Sequence, residues 1–428
     1  MATRFDRSGP LRGTLRPPSD KSVSHRAALI AAMGEGETMI EGYLDAADTR
    51  STLAAVQALG AELGGVALEP ALRLRGVGLR GAATAAIDVG NAGTLLRLLP
   101  GWLAGQETGA WTLDGDDSIR RRPVDRIAMP LGLMGARVEC RDDRLPPLRI
   151  EAAPLQGIEY ELPVASAQIK SCLLFAGLLA EGETRIVEPL PSRDHSERML
   201  AAAGAEIERS DGTVTIRPAA LLEPGEIVVP ADFSSAAFFI LAALLVPGSD
   251  VSLVGVGLNP TRTGLLSILG RMGAEIEVEP ESERGGEPSG RLRIRPTQLQ
   301  GTEVGGVEIP LAIDELPLVA LAACFAEGET TIRDAAELRR KESDRIDTVS
   351  AALAAIGASV ETSEDGMRIA GQGGLRGGAI DSHGDHRIAM LGAIAGLASR
   401  EGVEVAGMDS AAVSYPSFKA DLTSLRGS

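Results

Sequence analysis

A sixfold repeat of glycine-led segments constrains the fold of this chain more than any other feature. In each copy a Gly follows a predicted helix and precedes a short strand, at intervals of 69, 77, 66, 80 and 74 residues. The six positions are Gly36, Gly105, Gly182, Gly248, Gly328 and Gly402. Since 428 residues divided by six is about 71, one repeating unit accounts for the whole chain.

A second predicted helix lies inside five of the copies and ends at a Gly-Ala pair. The pairs are Gly60-Ala61, Gly135-Ala136, Gly204-Ala205, Gly273-Ala274 and Gly357-Ala358. Gly suits the left-handed conformation that ends many helices. Two hairpin-like strands usually follow. The copy is therefore predicted to be a βαβαββ unit, and six such units predict two domains of three units each, with helices packed inside sheets.

The longest interval of the repeat contains a stretch from Glu279 to Gly290 that is rich in Glu, Gly, Pro and Ser. Such a composition is typical of a solvated loop, and we interpret the stretch as a loop insertion without a function. The longest apolar run, from Ala236 to Val246, is too short to span a bilayer. It predicts a buried helix instead.

Charge and cysteine content limit the partners of the chain. The net charge is -17 with no Lys/Arg tail, which argues against nucleic acid or an anionic membrane as a partner. Basic groups that cluster in such an acidic background more readily hold a small acidic ligand. Cys140, Cys172 and Cys324 are far apart and lack metal-ligand spacing, so we expect neither disulfides nor a metal site. With no apolar leader segment, a cytoplasmic protein is expected.

The loop before the first helix of the chain has the residues of an anion site. Ser19 or Asp20 can cap that helix, and Lys21, Ser22 and Arg26 follow. Free backbone N–H groups and the helix dipole favour a phosphate or carboxylate there, and the two cations add full charges. An ordinary solvated helix turn is the alternative.

Unusual residues also precede the first helix of every other copy. These loops are Gly90-Asn91-Ala92-Gly93-Thr94, Ser166-Ala167-Gln168-Ile169-Lys170, Asp232-Phe233-Ser234-Ser235, Asp314-Glu315-Leu316-Pro317 and Gly384-Asp385-His386-Arg387. Further charged clusters occupy 116–126, 192–195 and 339–345, each of which is alternatively a salt-bridged surface. With threefold pseudosymmetry in each domain, the helix N-termini would converge on two facing surfaces and predict a cleft of positive potential.

In combination and in order, these segments resemble the signature segments of the EPSP synthase (3-phosphoshikimate 1-carboxyvinyltransferase) family. The matching segments are 20–26, 90–94, Arg122-Pro123, 166–168, 341–345 and 385–387. The resemblance implies an α/β enolpyruvyl transferase fold, a two-domain inside-out α/β barrel with three βαβαββ repeats in each domain. Hinges are expected near Pro18 and Pro230. One domain would comprise 1–18 and 231–428 and the other 19–230, with the active site in the cleft between them.

The resemblance also implies the reaction. A transferase of this family moves the enolpyruvyl group of phosphoenolpyruvate to the 5-hydroxyl of shikimate 3-phosphate and releases phosphate, on the shikimate pathway to chorismate and aromatic amino acids. No metal or organic cofactor is expected. The implied partners are these two small molecules, without nucleic acid or membrane, and the implied oligomeric state is a monomer.

With one exception, roles for single residues follow from the resemblance alone. Asp314 is the expected base, and Glu342, with Lys21 close by, the expected acid. From its position between Asp385 and Arg387 rather than from the resemblance, His386 is expected to orient a group or handle a proton, and a core histidine is the alternative. The residues expected to bind shikimate 3-phosphate are Lys21, Ser22, Arg26, Ser166, Ala167, Gln168, Ser192, Arg193, Asp314 and Lys341. Those expected to bind phosphoenolpyruvate are Lys21, Asn91, Gly93, Arg122, Gln168, Arg345 and Arg387.

The chain departs from the family pattern at a few positions. Val413 stands where many members have a Lys that contacts phosphate, and Lys419 is a candidate to replace it. Leu98 stands where Pro is frequent, Arg193 takes a place often held by Tyr, and Glu337 lies where some members have Asn. Gly93 is kept, which predicts sensitivity to glyphosate.

The basic loops are also compatible with two other functions. The sister enolpyruvyl transferase acting on UDP-N-acetylglucosamine has Asn after the first Lys and usually a reactive Cys, whereas this chain has Ser22 and a Cys-free 116–122. A non-catalytic protein that binds phosphorylated metabolites would explain basic loops. It would not explain Asp314 and Glu342 among them, because carboxylates weaken anion binding.

Overall fold

The computed structural model describes residues 2–64 and 71–426, in two compact units. Unit 1 comprises Met1–Pro18, Ala231–Ser282 and Ser289–Ser428, and unit 2 comprises Ser19–Pro230 and Glu283–Pro288. Within the described ranges, no helix has both the length and the apolar character that a membrane crossing requires.

The strands are short and are spread over the whole chain. In chain order they are β1 Ala2–Phe5, β2 Arg12–Leu15, β3 Glu37–Glu41, β4 Glu62–Gly64, β5 Ala71–Arg75, β6 Ala86–Asp88, β7 Ala110–Asp114, β8 Arg137–Arg141, β9 Leu145–Glu151, β10 Glu159–Glu161, β11 Thr184–Val187, β12 Ile207–Ser210, β13 Thr213–Ile216, β14 Glu226–Val228, β15 Asp250–Gly257, β16 Ile276–Arg284, β17 Glu287–Ile294, β18 Glu303–Val304, β19 Glu329–Ile332, β20 Ser359–Thr362, β21 Met367–Ala370, β22 Gly378–Asp381 and β23 Val403–Ala406.

Helices alternate with these strands. They are α1 Lys21–Met33, α2 Ala47–Ala58, α3 Gly93–Ala104, α4 Asp125–Leu133, α5 Ala167–Gly177, α6 His195–Ala202, α7 Phe233–Leu245, α8 Gly264–Arg271, α9 Ile309–Ala312, α10 Leu316–Phe325, α11 Arg345–Ala355, α12 His386–Ala398 and α13 Phe418–Ser424. Short 3-10 helices lie at Ile119–Arg121, Gly306–Glu308, Ala336–Arg340 and Met408–Val413.

The sheets of unit 2 share one topology. Their strand orders are β14-β3-β5-β4, β6-β7-β9-β8 and β10-β11-β13-β12. In each order the first pair is parallel and the other two pairs are antiparallel. A parallel pair needs a crossover, which α3 and α5 supply in the second and third sheets. This is the predicted βαβαββ unit.

The sheets of unit 1 have the orders β16-β17-β15-β2, β18-β19-β21-β20 and β1-β23-β22. Here α10 and α12 connect the parallel pairs β18/β19 and β22/β23, and α7 precedes β15, which pairs in parallel with β2 from the start of the chain. Two of these sheets repeat the strand order of unit 2, and the third has three strands among the described residues, with β1 antiparallel to β23. The fold class predicted from the sequence is confirmed.

Each unit has its own core, built around three helices. These are α1, α3 and α5 in unit 2, and α7, α10 and α12 in unit 1. In α7 every residue from Phe233 to Leu244 is buried, which confirms the buried helix predicted for the longest apolar run. A helix that is apolar on all sides must lie inside, so the sheets lie around it. The predicted helix ends are confirmed too, since Gly60, Gly135, Gly204, Gly273 and Gly357 all have positive φ between +92° and +104°.

The interpretation of 279–290 as a solvated loop was wrong. The segment belongs to the β16–β17 hairpin, which turns at Gly285 and Gly286 with φ of +69° and +85°. The many glutamates obscure the alternation of apolar and polar residues that is typical of strands. The Gly-Gly pair, by contrast, is a sequence signal for a hairpin turn. The tip of this hairpin, Glu283–Pro288, belongs to unit 2, and its Glu287 is buried.

Candidate active site

The helices predicted to start at the anion-binding loops start there. Asp20 Oδ1 caps α1 by accepting from Val23 N at 2.9 Å, and Ser166 Oγ caps α5 by accepting from Ile169 N at 3.4 Å. Asp232 and Asp385 cap α7 and α12 in the same way. Capping satisfies part of each first turn, and the remaining N–H groups stay available to an anion.

Arg26 lies buried on α1 in unit 2 among neutral acceptors. Its Nε donates to Ser196 Oγ at 2.8 Å, its Nη2 to Ser171 Oγ at 2.9 Å and its Nη1 to the carbonyl of Ser22 at 3.1 Å. Burial lowers the pKa of Arg26 to about 10, although the field of Glu197 opposes this. In the described part of the chain no carboxylate forms an ion pair with this guanidinium, so an anionic ligand would complete its charge balance.

Lys21, the first residue of α1, has an intramolecular partner. Its Nζ lies 2.9 Å from Asp48 Oδ2 in the first turn of α2. The Lys21 side chain remains half-exposed. Because an exposed ion pair contributes little free energy, a phosphate can displace Asp48 without a large cost.

Two arginines surround Gly93 at the start of α3. A Cβ at Gly93 would lie 2.8 Å from Arg122 Nη1 and 3.3 Å from Arg97 Nη1. Arg97 Nη1 donates to Gln168 Oε1 at 3.1 Å, and Arg122 Nη2 donates to Asn91 Oδ1 at 2.9 Å. Burial, together with Arg122 and Arg126, lowers the pKa of Arg97 to about 10. Within 2–64 and 71–426, neither Arg97 nor Arg122 has a carboxylate at ion-pair distance. The positive charge of these two guanidinium groups is therefore available to attract an anion.

The remaining predicted residues of unit 2 lie along α5 and before α6. Ser166 is the cap of α5, and Ala167 is its first residue, whose N–H lies in the open first turn. Ser192 is buried and donates through Oγ to Glu188 Oε1 at 2.5 Å. Arg193 is half-buried. We name Lys21, Arg26, Gln168, Ser192 and the residues around Gly93 the unit 2 cluster.

In unit 1, Asp314 is the centre of a cluster of cations. Its carboxylate lies 3.2 Å from Lys341 Nζ and 3.5 Å from Arg345 Nη1. Arg387 Nη2 and Arg262 Nη1 follow at 3.8 and 3.9 Å. Four cationic side chains thus lie within 4 Å of this carboxylate, a group that can act as a base. We name Asp314, Lys341, Glu342, Arg345 and Arg387 the unit 1 cluster.

Arg345 joins three carboxylates. It is fully buried and bonds Asp385 Oδ2 through Nε at 2.9 Å and Glu342 Oε2 through Nη2 at 2.6 Å. Burial alone would raise the pKa of Glu342, but Arg345 and a backbone hydrogen bond outweigh it and hold that pKa below its usual range. The pKa of Asp385 is also lowered, since the hydrogen bond and charge of Arg345 outweigh burial.

Two further titratable groups flank this cluster. Burial and the charge of Arg387 lower the pKa of His386 to about 4, so the imidazole is neutral near pH 7. Burial raises the pKa of Glu315, which accepts a hydrogen bond from Ser234. In the described part of the chain, no cluster of three His, Cys, Asp or Glu side chains is arranged to hold a metal ion.

The charged run 339–345 divides into structural and site residues. Arg339 pairs with Asp344 at 2.8 Å and with Asp347 at 3.1 Å, so it belongs to a surface network. Lys341 and Arg345 instead reach Asp314. Val413, which stands where many family members have a Lys, is exposed. Lys419, the candidate to replace that Lys, has its Nζ 3.3 Å from Thr3 Oγ1.

Several residues of the candidate site were not predicted from the sequence. Arg262 has no local signal, because only the fold brings it within 3.9 Å of Asp314. Ser171 and Ser196 lie within helices, where a Ser is seldom distinctive. Asp385 has no role of its own among the expectations, and its position at a helix start was the available signal.

Comparison with known proteins identifies the family. The family model described as EPSP synthase (3-phosphoshikimate 1-carboxyvinyltransferase) matches residues 5–422, which include the unit 1 and unit 2 clusters. The chain belongs to the EPSP synthase family. As a member of the EPSP synthase family it is an enzyme, an enolpyruvyl transferase of the shikimate pathway that leads to chorismate and the aromatic amino acids. The family predicted from the motifs is confirmed, and the alternative acting on UDP-N-acetylglucosamine is not supported.

Relatives and solved structures agree with the EPSP synthase assignment. A 3-phosphoshikimate 1-carboxyvinyltransferase of Desulfitobacterium hafniense is 49% identical over 416 residues, 97% of this chain and 95% of the relative. An EPSP synthase structure from Acinetobacter baumannii superposes with a TM-score of 0.92 at 40% identity, covering 99% of this chain and 98% of that one. The enolpyruvyl transferase NikO from Streptomyces tendae gives 0.77 at 18% identity over 99% and 96% of the two chains, which shows the shared fold alone.

Proposed function

We propose that this chain transfers the enolpyruvyl group of phosphoenolpyruvate to the 5-hydroxyl of shikimate 3-phosphate, using residues of the unit 1 and unit 2 clusters. The observation that carries the proposal is Asp314, a carboxylate within 4 Å of four cationic side chains. A site that only bound anions would gain nothing from a carboxylate among its cations. A site that must also remove a proton from a bound hydroxyl needs one.

Shikimate 3-phosphate is assigned to residues of both units. Arg26 supports this assignment because its buried charge has neutral partners in unit 2. The first turn of α5 offers N–H groups to the phosphate, and Lys341 lies beside Asp314. The proposed ligands are Lys21, Ser22, Arg26, Ser166, Ala167, Gln168, Ser192, Arg193, Asp314 and Lys341.

Phosphoenolpyruvate is assigned to guanidinium groups. Arg122 beside Gly93 can pair with a carboxylate or phosphate through two N–H groups. Arg387 and Arg345 lie beside Asp314 and add positive charge, Arg345 from a buried position in which it already bonds Asp385 and Glu342. A side chain at residue 93 would occupy the place of Arg122, so Gly93 keeps room for the ligand. The proposed ligands are Lys21, Asn91, Gly93, Arg122, Gln168, Arg345 and Arg387.

The chemistry needs a base and an acid. Asp314 takes the proton of the 5-hydroxyl while the oxygen attacks C2 of phosphoenolpyruvate, and Glu342 or Lys21 gives a proton to the methylene carbon. The tetrahedral adduct then loses a proton from the new methyl group and expels phosphate, which leaves the enol ether. The cations around Asp314 stabilise the charge that develops.

Glu342 must gain a proton before it can act as the acid. In the ligand-free protein Arg345 holds the pKa of Glu342 low. When the anionic groups of phosphoenolpyruvate lie near Arg345, they offset its positive field, and the pKa of Glu342 rises toward its usual range. Substrate binding thereby favours protonation of Glu342. His386, neutral near pH 7, is proposed to orient the Glu342 side chain.

The three cysteines bear on the cellular compartment. Cys140, Cys172 and Cys324 are free thiols, as expected in a reducing cytoplasm. We propose a cytoplasmic monomer, whose mass in solution can be measured by light scattering.

The decisive assay measures phosphate release from phosphoenolpyruvate with and without shikimate 3-phosphate. We expect release only when both are present. Asp314→Asn keeps the shape of the side chain but removes the base, so turnover should fall roughly a hundredfold or more while calorimetric binding of shikimate 3-phosphate persists.

Asp347→Asn is the matched control. Asp347 lies on α11 with its side chain 64% exposed, away from Asp314, and its loss should leave turnover unchanged. Phosphate release by the wild type that does not depend on shikimate 3-phosphate would refute the proposed reaction. Full turnover by Asp314→Asn would refute the assignment of the base.

A further inference from the structure

The tip of the β16–β17 hairpin packs tightly against α6 and β14 in unit 2. A Cβ at Gly286 would lie 2.4 Å from the carbonyl oxygen of Arg198, and one at Gly285 would lie 3.1 Å from the Cα of Ile227. Both glycines also have a positive φ. A Gly-Gly turn is therefore required for the hairpin to approach α6 this closely.

Glu287, the first residue after this turn, forms a buried pair with His195. Its Oε1 lies 2.8 Å from His195 Nδ1, and both side chains are only 2% exposed. A carboxylate can only accept, so Nδ1 carries the proton and donates it to Glu287. Hydrogen bonds to a charged acceptor in a buried place are among the strong ones. The pair therefore fixes the orientation of the imidazole.

The pair acts on the first turn of α6, which begins at His195. The next residue, Ser196, accepts from Arg26 Nε at 2.8 Å and donates to Ser171 Oγ at 2.6 Å. Ser171 in turn donates to the carbonyl of Ala167 at 2.6 Å. A continuous set of hydrogen bonds thus joins the guanidinium of Arg26 to the start of α5.

Glu197, the residue after Ser196, adds a group of ion pairs to these hydrogen bonds. Glu197 Oε1 lies 2.7 Å from Lys170 Nζ, which also pairs with Glu188 at 2.8 Å. Lys170 and Glu197 are buried, and Glu188 is partly buried. Glu188 in turn accepts from the hydroxyl of Ser192. The start of α6 therefore connects the hairpin tip with α1, α5 and the loop that contains Ser192.

We propose that Glu287 is a positioning residue for substrate binding: it holds His195 and the first turn of α6, so that Ser196 presents Arg26 to the phosphorylated substrate. The proposal rests on the assignment of Arg26 and Ser192 to shikimate 3-phosphate. It gives a function to the segment interpreted from the sequence as a loop without one. Glu287 itself touches no substrate in this scheme.

Glu287→Ala tests the role, with steady-state kinetics and calorimetric titration of shikimate 3-phosphate. We expect KM and Kd for shikimate 3-phosphate to rise roughly tenfold, because a buried donor loses its partner. The kcat and the KM for phosphoenolpyruvate should stay within about twofold, since the loss affects binding in the ground and transition states alike. Glu287→Gln keeps an acceptor oxygen and should restore most of the affinity.

Arg284→Ala is the matched control at the same hairpin tip. Arg284 is half-exposed and pairs with Glu226 at 2.5 Å and Glu41 at 3.3 Å, apart from His195. Its loss should leave the kinetics unchanged. On the opposite side of the pair, His195→Asn keeps an N–H near the place of Nδ1 and should bind shikimate 3-phosphate better than His195→Ala.

The outcomes are separable from those of the main assay. If Glu287→Ala does not fold, Glu287→Asp decides, because it keeps the charge and withdraws the carboxylate by one methylene. A selective rise in KM for shikimate 3-phosphate supports positioning. An unchanged KM, or an equal rise for both substrates, overturns it. A wild type without phosphate release that depends on shikimate 3-phosphate overturns the proposed function instead.

Discussion

The cations around Asp314 contribute to stability as well as to the proposed substrate binding, and Arg345 shows the effect on stability best. It is 1% exposed and bonds to Asp385, which has no exposed side-chain surface at all. Removing one member of such a pair leaves the other charge buried without its partner. Arg345 is therefore needed for the fold of unit 1 before any ligand arrives.

Arg345→Ala should lower the free energy of unfolding by about 3–5 kcal/mol. Urea unfolding followed by circular dichroism measures the change. Arg340→Ala is the control from the same charged run. The Arg340 side chain is 73% exposed and lies 3.7 Å from Glu337, so its loss should change stability by less than about 0.5 kcal/mol. Equal effects of the two substitutions would contradict the buried role of Arg345.

At the scale of residues, the sequence predicted what is local. Asp20, Ser166 and Asp385 were placed at helix starts because caps and their neighbours are adjacent in the chain. Ser196 and Glu287 could not be assigned, because their partners Arg26 and His195 lie far away in sequence. A contact between distant residues depends on tertiary packing, which one sequence does not show.

At the scale of elements, close packing of the inner helices depends on small residues. Gly101 lies inside α3, and a Cβ there would lie 2.0 Å from the carbonyl oxygen of Cys172 on α5. Because that oxygen belongs to a helix backbone, it cannot move independently. The approach of α3 to α5 also sets where Gly93 and Gln168, one on each helix, meet Arg97.

Gly101→Ala should lower the free energy of unfolding by about 1–3 kcal/mol through overpacking. Gly270→Ala is the opposite case, because Gly270 lies in α8 with nothing within 4 Å of an added Cβ. There the substitution should raise stability by about 0.5–1 kcal/mol, since Ala favours a helix. Thermal unfolding of both variants measures the difference. A Gly101→Ala variant as stable as the wild type would show that α3 and α5 can separate.

Element types were predictable where the repeat was regular. Each Gly-Ala pair marked a helix end, because Gly alone adopts the left-handed conformation freely, and the structure shows these ends. The β16–β17 hairpin broke the regularity with charged residues such as Glu279 and Glu281 on its strands. The Glu-, Gly-, Pro- and Ser-rich composition of 279–290 favours a loop, whereas the Gly285-Gly286 pair favours a hairpin turn. The prediction from composition was wrong.

At the scale of the molecule, each unit contains a histidine beside candidate site residues whose pKa is lowered by burial. His25 lies on α1 in unit 2, with Nδ1 2.6 Å from Thr52 Oγ1, and burial lowers its pKa to about 3. His386 begins α12 in unit 1, and burial lowers its pKa to about 4. Both side chains are neutral in the folded protein near pH 7.

These two histidines make stability depend on pH in a defined window. Below the ordinary pKa of about 6.5, the unfolded chain takes up a proton at each His, whereas the folded chain does not until about pH 4 or below. The unfolded state therefore binds more protons, and stability falls as the pH falls from 6.5 to 4. Each His contributes at most about 1.4 kcal/mol per pH unit.

We expect the urea midpoint of the wild type to fall steadily between pH 6.5 and pH 4.5. His25→Asn keeps a group near Nδ1 for Thr52 but cannot titrate, so its midpoint should fall less steeply with pH, whatever its stability at pH 7.5. His383→Asn is the control, because His383 is exposed on the loop before α12. Wild-type, His25→Asn and His383→Asn proteins with the same pH slope would show that His25 takes up its proton without unfolding. A smaller change of the urea midpoint with pH in His25→Asn alone would show that the His25 imidazole contributes to acid sensitivity. The wild type and His25→Asn differ in no other group that titrates between pH 6.5 and pH 4.5.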